Sequence, residues 1–362
     1  MRSIKVKLNK NSYSIVIGKN SLSQLTEKIN SLPISKCLLV IDKNVERYHS
    51  KFLRGVFAEL NCKTFKYIFN ATEYNKSLTQ TEKIYKFLSD NYFDRNSVII
   101  SIGGGITGDI SAFAASTFMR GINYFQVPTT LLSMVDSSVG GKTGVNFHKR
   151  KNLIGTFYQP NGVCINGGFL KSLPKKEILS GAGEIFKYSF IADEKNYNLL
   201  KNNLKKITQN LEFNYEKTIQ SCLKIKSNVV SQDEKEITGL RKILNFGHTF
   251  AHAFEAQSNY RLKHGEAVIG GIFSALFLSE NLGYITTKQL NIFINDFQFF
   301  KLNQTLNNLD NENIYQSMLG DKKNLSGKIK LVLLEDVGKI IVDVVADKSV
   351  IIDSIKKMKA LI

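Results

Sequence analysis

Apolar and polar positions alternate over Ile4–Leu8 and again over Tyr13–Ile17, on either side of Asn9-Lys10-Asn11-Ser12. A period of two broken by turn residues predicts a β-hairpin. From Ser21 the pattern changes to helical runs (Ser21–Asn30, Asn44–Leu60, Thr79–Asn91) alternating with short apolar runs (Cys37–Ile41, Thr64–Phe69, Ser97–Ile102). That alternation predicts a parallel sheet with helices on both faces. Ligands of such sheets bind beyond the carboxyl ends of the strands. The ends here carry Asp42 and Asn44, then Glu73 and Lys76, then Gly103-Gly104-Gly105. Beyond Pro174 helical runs dominate: Gly181–Phe190, Tyr197–Gln209, Tyr215–Val230, Leu244–Glu255, Glu266–Glu280 and Thr287–Phe297. Short strands are expected over Lys328–Leu334 and Lys339–Val345. The expected division is an α/β domain over 1–173 and a mainly α-helical domain over 174–362.

Length agrees with two domains, because 362 residues exceed the size at which one core keeps growing. Charge changes the picture more. An excess of 49 Lys+Arg over 31 Asp+Glu gives +18, which suits nucleic acid, an acidic membrane surface or an anionic small substrate. The basic residues are spread along the chain, interleaved with acids and without a run of five, so nucleic acid is not an expected partner. Cys37, Cys62, Cys164 and Cys222 form no C-x-x-C pair and argue for a reducing compartment. The first residues lack a signal-peptide core, and the apolar run Ala267–Leu278 is too short to span a bilayer. A cytoplasmic protein without a membrane partner is expected.

Three of the five histidines fall in one window: His248 and His252, four apart, and His264, which opens the next helical run. A helix sets His248 and His252 on one face, and an antiparallel helix pair could bring His264 to them. Neutral imidazole suits zinc, and a catalytic zinc takes three protein ligands and keeps one position open. His248-Thr249-Phe250-Ala251-His252 lacks the glutamate of H-E-x-x-H, which excludes that metalloprotease pattern. Glu184, one helical turn from Lys187, is the natural carboxylate to complete a two-histidine set, which would leave one histidine of the close pair for proton transfer. Gly103-Gly104-Gly105-Ile106-Thr107-Gly108 matches G-x-G-x-x-G before a helix expected near Asp109. Glycines there let the backbone approach a diphosphate at a helix N-terminus. The following strand ends in Thr129-Thr130 instead of an acid, so a ribose contact falls to Asp42. Gly140-Gly141-Lys142-Thr143 suits a loop holding anions but fails the P-loop spacing, since Asp136 stands where the first glycine belongs.

Taken together, eight motifs in order resemble the 3-dehydroquinate synthase family of sugar phosphate cyclases. They are Gly103-Gly104-Gly105-x-x-Gly108-Asp109, Arg120, Val127-Pro128-Thr129-Thr130, and Asp136-Ser137-Ser138-Val139-Gly140-Gly141-Lys142-Thr143. Lys151-Asn152-Leu153-Ile154-Gly155, Glu184-x-x-Lys187, Asn245-x-Gly247-His248-x-x-x-His252 and His264-Gly265-Glu266-Ala267-Val268 complete the set. The resemblance spans roughly residues 40 to 335. It implies a Rossmann-like NAD-binding domain, a helical metal- and substrate-binding domain, one zinc or cobalt ion, and a homodimer. Glu184, His248 and His264 would be the metal ligands. Asp42, Asn44, Glu73, Lys76, Gly104, Gly105, Asp109, Thr129, Thr130, Asp136, Lys142, Lys151 and Ser172 would contact NAD. Arg120, Lys142 and Asn152 would hold the substrate phosphate, the arginine from across the dimer. Lys187, Lys226, Arg241 and Asn245 would grip its carboxylate and hydroxyls, with Lys322 or Lys323 nearby. Lys142, Lys187, Lys226, His252 and Asp136 would form the catalytic set.

The reaction implied is conversion of 3-deoxy-D-arabino-heptulosonate 7-phosphate to 3-dehydroquinate in the shikimate pathway. Transient oxidation by NAD acidifies a neighbouring C–H, phosphate leaves by β-elimination, hydride returns, and an intramolecular aldol step closes the ring. The cations would hold a substrate anionic at both ends. Two departures stand out: Ser172 where the family commonly has threonine, and one extra residue between Glu236 and Arg241, which leaves the roles of Glu234 and Glu236 open. Other sugar phosphate cyclases, and metal-dependent alcohol dehydrogenases of the glycerol dehydrogenase type, are the alternatives. The former act on substrates without a carboxylate; the latter would release NADH.

Overall fold

The computed structural model describes residues 1–148, 150–209, 214–320 and 328–362. In chain order its elements begin with β1 (Arg2–Val6), β2 (Tyr13–Ile17), α1 (Ser21–Asn30), β3 (Lys36–Asp42), α2 (Lys43–Phe57) and β4 (Lys63–Phe69). Then come α3 (Leu78–Asp90), β5 (Val98–Gly103), α4 (Gly105–Thr117), β6 (Asn123–Pro128), β7 (Val145–Phe147), β8 (Arg150–Ile154) and β9 (Gly162–Ile165). The chain continues through α5 (Lys175–Ile191), α6 (Glu194–Thr208), α7 (Tyr215–Gln232), α8 (His248–Gln257), α9 (His264–Asn281) and α10 (Thr287–Phe297). It ends with α11 (Asn311–Leu319), β10 (Leu331–Asp336), β11 (Lys339–Val344) and α12 (Lys348–Lys359).

Two compact units result. The first comprises Met1–Pro174 with Tyr215–Lys235; the second comprises Lys175–Asn214 and Glu236–Ile362. The expected single division after residue 173 therefore does not describe α7, which folds with the first unit. Its helical periodicity is visible in the sequence, but its packing partner is not.

The first unit is built on a seven-stranded sheet in the order β1-β2-β9-β6-β5-β3-β4. All neighbours are parallel except the β1–β2 hairpin. β5 is buried along its whole length and β3 beyond its first residue, as befits strands covered on both faces. Leu38, Val40, Ile84, Leu88, Ile99, Ile110 and Phe113 form the core on one of these faces. From β3 the chain runs outward through α2 to edge strand β4. From β5 it runs through α4 to β6 on the other side. Connections thus diverge between the carboxyl ends of β3 and β5, the crevice where sheets of this kind take ligands.

The second unit is helical around α9, which is buried over most of its length. Phe186, Phe190, Phe246, Phe250, Phe254 and Phe297 are fully buried in it, with Phe186 and Phe297 centroids 4.5 Å apart. The antiparallel pair β10–β11 belongs to this unit. Among the described residues no helix is long and apolar enough to cross a membrane.

Candidate functional site

In the second unit three helices converge on one carboxylate. Oε1 of Glu184 on α5 lies 3.3 Å from Nε2 of His248 on α8 and 3.0 Å from Nε2 of His264 at the start of α9. Oε2 of the same carboxylate is ion-paired with Lys187 one turn along α5. Glu184 and Lys187 are both buried, so this is no surface pair.

Glycines make the convergence possible. Gly183 and Gly265 bring α5 and α9 together, Gly247 and Gly271 bring α8 and α9 together, and in each case a β-carbon would run into backbone atoms. Gly247 also has φ +76°, a conformation that favours glycine, and caps α8. That cap is why the helix expected from Leu244 starts only at His248, after a tight helical turn over Leu240–Asn245. The three ligand candidates each follow or precede one of these glycines directly in sequence.

Electrostatics divides the two rings. Burial, only partly offset by Glu184, pushes the His248 pKa down to about 4. Burial would lower His264 as well, but hydrogen bonds to Glu184 and Glu255 outweigh it and raise its pKa to about 10. For Glu184 burial is outweighed by Lys187 and His248, which hold the carboxyl well below the usual range. At neutral pH and without an ion His248 is therefore neutral and Glu184 ionised, as metal ligands require, whereas His264 is protonated and has to release a proton on binding.

The ligand atoms of Glu184, His248 and His264 lie within 4.8 Å of one another. Tetrahedral donors at zinc distances stand about 3.3–3.6 Å apart, so the two measured separations fit a divalent ion with little adjustment. Two imidazoles and one carboxylate also form a donor set of the open, catalytic kind. The His252 ring stands 5.7 Å from that of His248, against 5.5 Å for His264. Three imidazoles do meet here, as the spacing suggested, with Glu184 between two of them.

In the first unit the glycine cluster forms the turn from β5 into α4. The helix expected near Asp109 begins at Gly105, with Gly104 as its cap, so the glycines form its first turn. A β-carbon on Gly103 would meet Thr107 at 2.5 Å, and one on Gly108 would meet Gln126 at 2.4 Å. Thr129 donates its N–H to the Gly103 carbonyl at 2.9 Å. A methyl on Gly104 would touch Thr130 at 3.0 Å. Across the crevice Asp42 ends β3 and caps α2, one carboxylate oxygen accepting the N–H groups of Asn44 and Val45.

Beside this turn lies a polar group joined by side chains. Lys76, 5% exposed, donates to Asp109 and to Asn152, both at 2.5 Å. Asn146, which the sequence did not single out, donates to Glu73 at 2.8 Å and accepts the Asn152 N–H at 3.0 Å. Burial raises the Asp109 pKa against the opposing charge of Lys76. Lys226 on α7 bonds Asp136 through both its carboxylate (2.9 Å) and its carbonyl (3.0 Å). Gln159 donates to Glu234 at 3.0 Å, while Glu236, in the other unit, stands 3.5 Å from the buried Arg241.

Several expected residues are less concentrated. Arg120 is exposed with φ +67°, next to Met119 at +49°. Lys142 is exposed and Lys151 half-buried in the loop segment around β7 and β8. The Ser172 hydroxyl bonds His49 at 2.7 Å and the Phe169 carbonyl at 3.1 Å. Arg241 and Asn245 belong to the second unit, whereas Lys226 belongs to the first. Lys322 and Lys323 lie outside the described residues.

Family models described as 3-dehydroquinate synthase N-terminal and C-terminal match residues 66–180 and 181–324. A 3-dehydroquinate synthase from Pelagibacter ubique is 47% identical over 93% of this chain and 94% of its own. Another from Acetivibrio thermocellus is 39% identical over 97% and 98%. Among solved structures, a 2-deoxy-scyllo-inosose synthase complexed with carbaglucose-6-phosphate, NAD+ and Co2+ shares the fold, with a TM-score of 0.86. It is 22% identical over 98% of this chain and 99% of that one.

Proposed function

Because the chain belongs to the 3-dehydroquinate synthase family, we propose that it converts 3-deoxy-D-arabino-heptulosonate 7-phosphate to 3-dehydroquinate and phosphate. The observation that carries this reading is the Glu184–His248–His264 donor set, buried at Glu184 and half-buried at His264, in a chain of that family. NAD and one zinc or cobalt ion are its cofactors, a reading supported by the NAD+ and Co2+ of the similarly folded synthase. When bound, the nicotinamide supplies a reversible hydride acceptor and the divalent ion a Lewis acid for the oxygen at the oxidised carbon.

The chain's own residues do the rest. Glu184, His248 and His264 hold the ion, and Lys187 keeps the Glu184 carboxyl ionised. Gly104 and Gly105 at the N-terminus of α4 receive the cofactor diphosphate with their N–H groups. Asp42 and Asn44 take the ribose, while Glu73, Lys76, Asp109, Thr129, Thr130, Lys151 and Ser172 line the remainder. Arg120, Lys142 and Asn152 bind the substrate phosphate, and because Asn152 shares Lys76 with Asp109, cofactor and phosphate residues act as one connected surface. Lys226, Arg241 and Asn245 bind the carboxylate and hydroxyls. Asp136 holds the Lys226 ammonium at a fixed point. His252 passes protons beside the metal.

The same reading includes a cytoplasmic homodimer. Arg120, exposed in a backbone conformation rare for its residue type, would serve the neighbouring subunit. The test is phosphate release from the heptulosonate phosphate with NAD present, before and after EDTA. Release without accumulating NADH, stopped by EDTA, is expected; NADH appearing in step with turnover would indicate a dehydrogenase instead.

A further inference from the structure

Glu255 is 8% exposed, and its Oε2 lies 3.3 Å from Nδ1 of His264. That is the ring nitrogen opposite the one facing Glu184. His248 is backed differently: its Nδ1 lies 3.2 Å from the carbonyl oxygen of Phe246. Both rings turn Nε2 to one carboxylate oxygen, but one is backed by a neutral carbonyl and the other by a second carboxylate. The two ligand candidates thus differ in the group behind the ring.

The local chain is shaped for this contact. Glu255 follows His248 and His252 at seven and three residues along α8, on their face of the helix. After α8 the backbone reverses through Asn259 and Tyr260, both with positive φ. The Tyr260 N–H donates to the Glu255 carbonyl at 2.8 Å. Buried Ser258 donates its hydroxyl to the same carbonyl at 2.9 Å and accepts the Leu262 N–H at 3.4 Å. The turn brings His264 back over the residue nine positions before it.

We propose that Glu255 is a positioning residue for the metal centre: it accepts the Nδ1 proton of His264, holds Nε2 toward the ion and makes this ring the stronger donor. This rests on the metal reading given above. The physical grounds are two. With Nε2 on the ion the neutral ring carries its proton on Nδ1, and an acceptor-only group facing that N–H holds the ring in one orientation. A carboxylate behind a ligating histidine raises the basicity of the ligand, and outer partners of this kind are worth 10- to 100-fold in affinity.

The experiment compares zinc affinity, by competition with a chromophoric chelator, in the full-length wild type, Glu255→Gln and Glu255→Ala. It adds 15N NMR of His264 in the zinc-loaded proteins. Glu255→Gln keeps size and an accepting oxygen but loses the charge. Its affinity should fall about 10- to 100-fold with the Nδ1 proton retained. Glu255→Ala should weaken binding further and shift the His264 Nδ1 resonance as its acceptor is lost. If Glu255→Ala does not fold, Glu255→Gln alone decides. Affinity within twofold of wild type in Glu255→Gln, or a wild-type His264 ring protonated on Nε2, overturns the inference. A wild type that binds no zinc overturns the metal reading itself and takes this inference with it.

Discussion

Gly183 and Gly265 meet backbone to backbone: a β-carbon on Gly183 would stand 2.3 Å from the carbonyl oxygen of Gly265. One on Gly265 would stand 1.9 Å from the carbonyl oxygen of Ser180. Neither neighbour is a side chain that can swing away, so either methyl must push α5 and α9 apart. Glu184 and His264, the adjacent residues, move with them. Gly183→Ala and Gly265→Ala should each lose the metal and cost about 1–3 kcal/mol or more of stability, read by metal content and urea unfolding. Gly55 in α2 is the counter-example, with nothing within 4 Å of its added carbon. Gly55→Ala should stabilise the protein by about 0.5–1 kcal/mol and leave the metal in place.

His264→Ala removes one of the three proposed ligands in the second unit and leaves the glycine turn of the first untouched. Metal and turnover should disappear while NAD binding, measured by calorimetry, stays within a few-fold of wild type. Full activity of this variant after metal stripping would show that the ligand assignment is wrong.

Lys76→Met keeps the length and apolar stem of Lys76 but removes the ammonium shared by Asp109 and Asn152. Breaking a buried ion pair from one side costs about 3–5 kcal/mol. Asp109 is less deeply enclosed than Lys76 (side chains 25% and 6% exposed), so a loss toward the lower end is expected. Denaturant unfolding measures it, and NAD affinity should fall in the same variant. Adding Asp109→Asn should recover part of the stability, since the stranded charge is then gone.

The metal-free protein should lose stability on the alkaline side through His264. Its folded pKa, about 10, stands above the ordinary 6.5. The stabilisation is therefore fully present below pH 6.5 and is lost as pH rises through 10. His248 acts in the opposite sense: lowered to about 4 by burial, it withdraws stability as pH falls from 6.5 toward 4. Urea unfolding of the metal-free wild type and His264→Gln across pH 6 to 10 should show two curves converging as pH rises. Parallel curves would contradict the assignment.

How much of this the sequence discloses depends on the distance over which each feature is decided. Ser21–Asn30 and Thr287–Phe297 have the same bounds in expectation and structure, because their apolar stripes are local, as is the Thr286 cap of the second. β3 and β5 are legible because strands buried on both faces read as continuous apolar runs. β9 has only four residues, too short to show a period, although it joins the hairpin to the sheet. The helix after β5 starts earlier than expected because glycines serve there as its first turn as well as a loop. Asp136 and Lys226 each stand out in the sequence, but nothing local links residues ninety positions apart. Glu255 carried a usable signal, an acid in register with His248 and His252 on one helical face; only the reversal after α8 shows that it meets His264.

The central claim is that one divalent ion is held by Glu184, His248 and His264. Titration of the metal-free protein with cobalt(II), followed by its visible ligand-field absorption, tests it most directly. The absorption should saturate at one equivalent per chain, vanish in Glu184→Ala, His248→Ala and His264→Ala, and persist in His252→Ala. Saturation at one equivalent with an unchanged spectrum in any of the first three variants would contradict it.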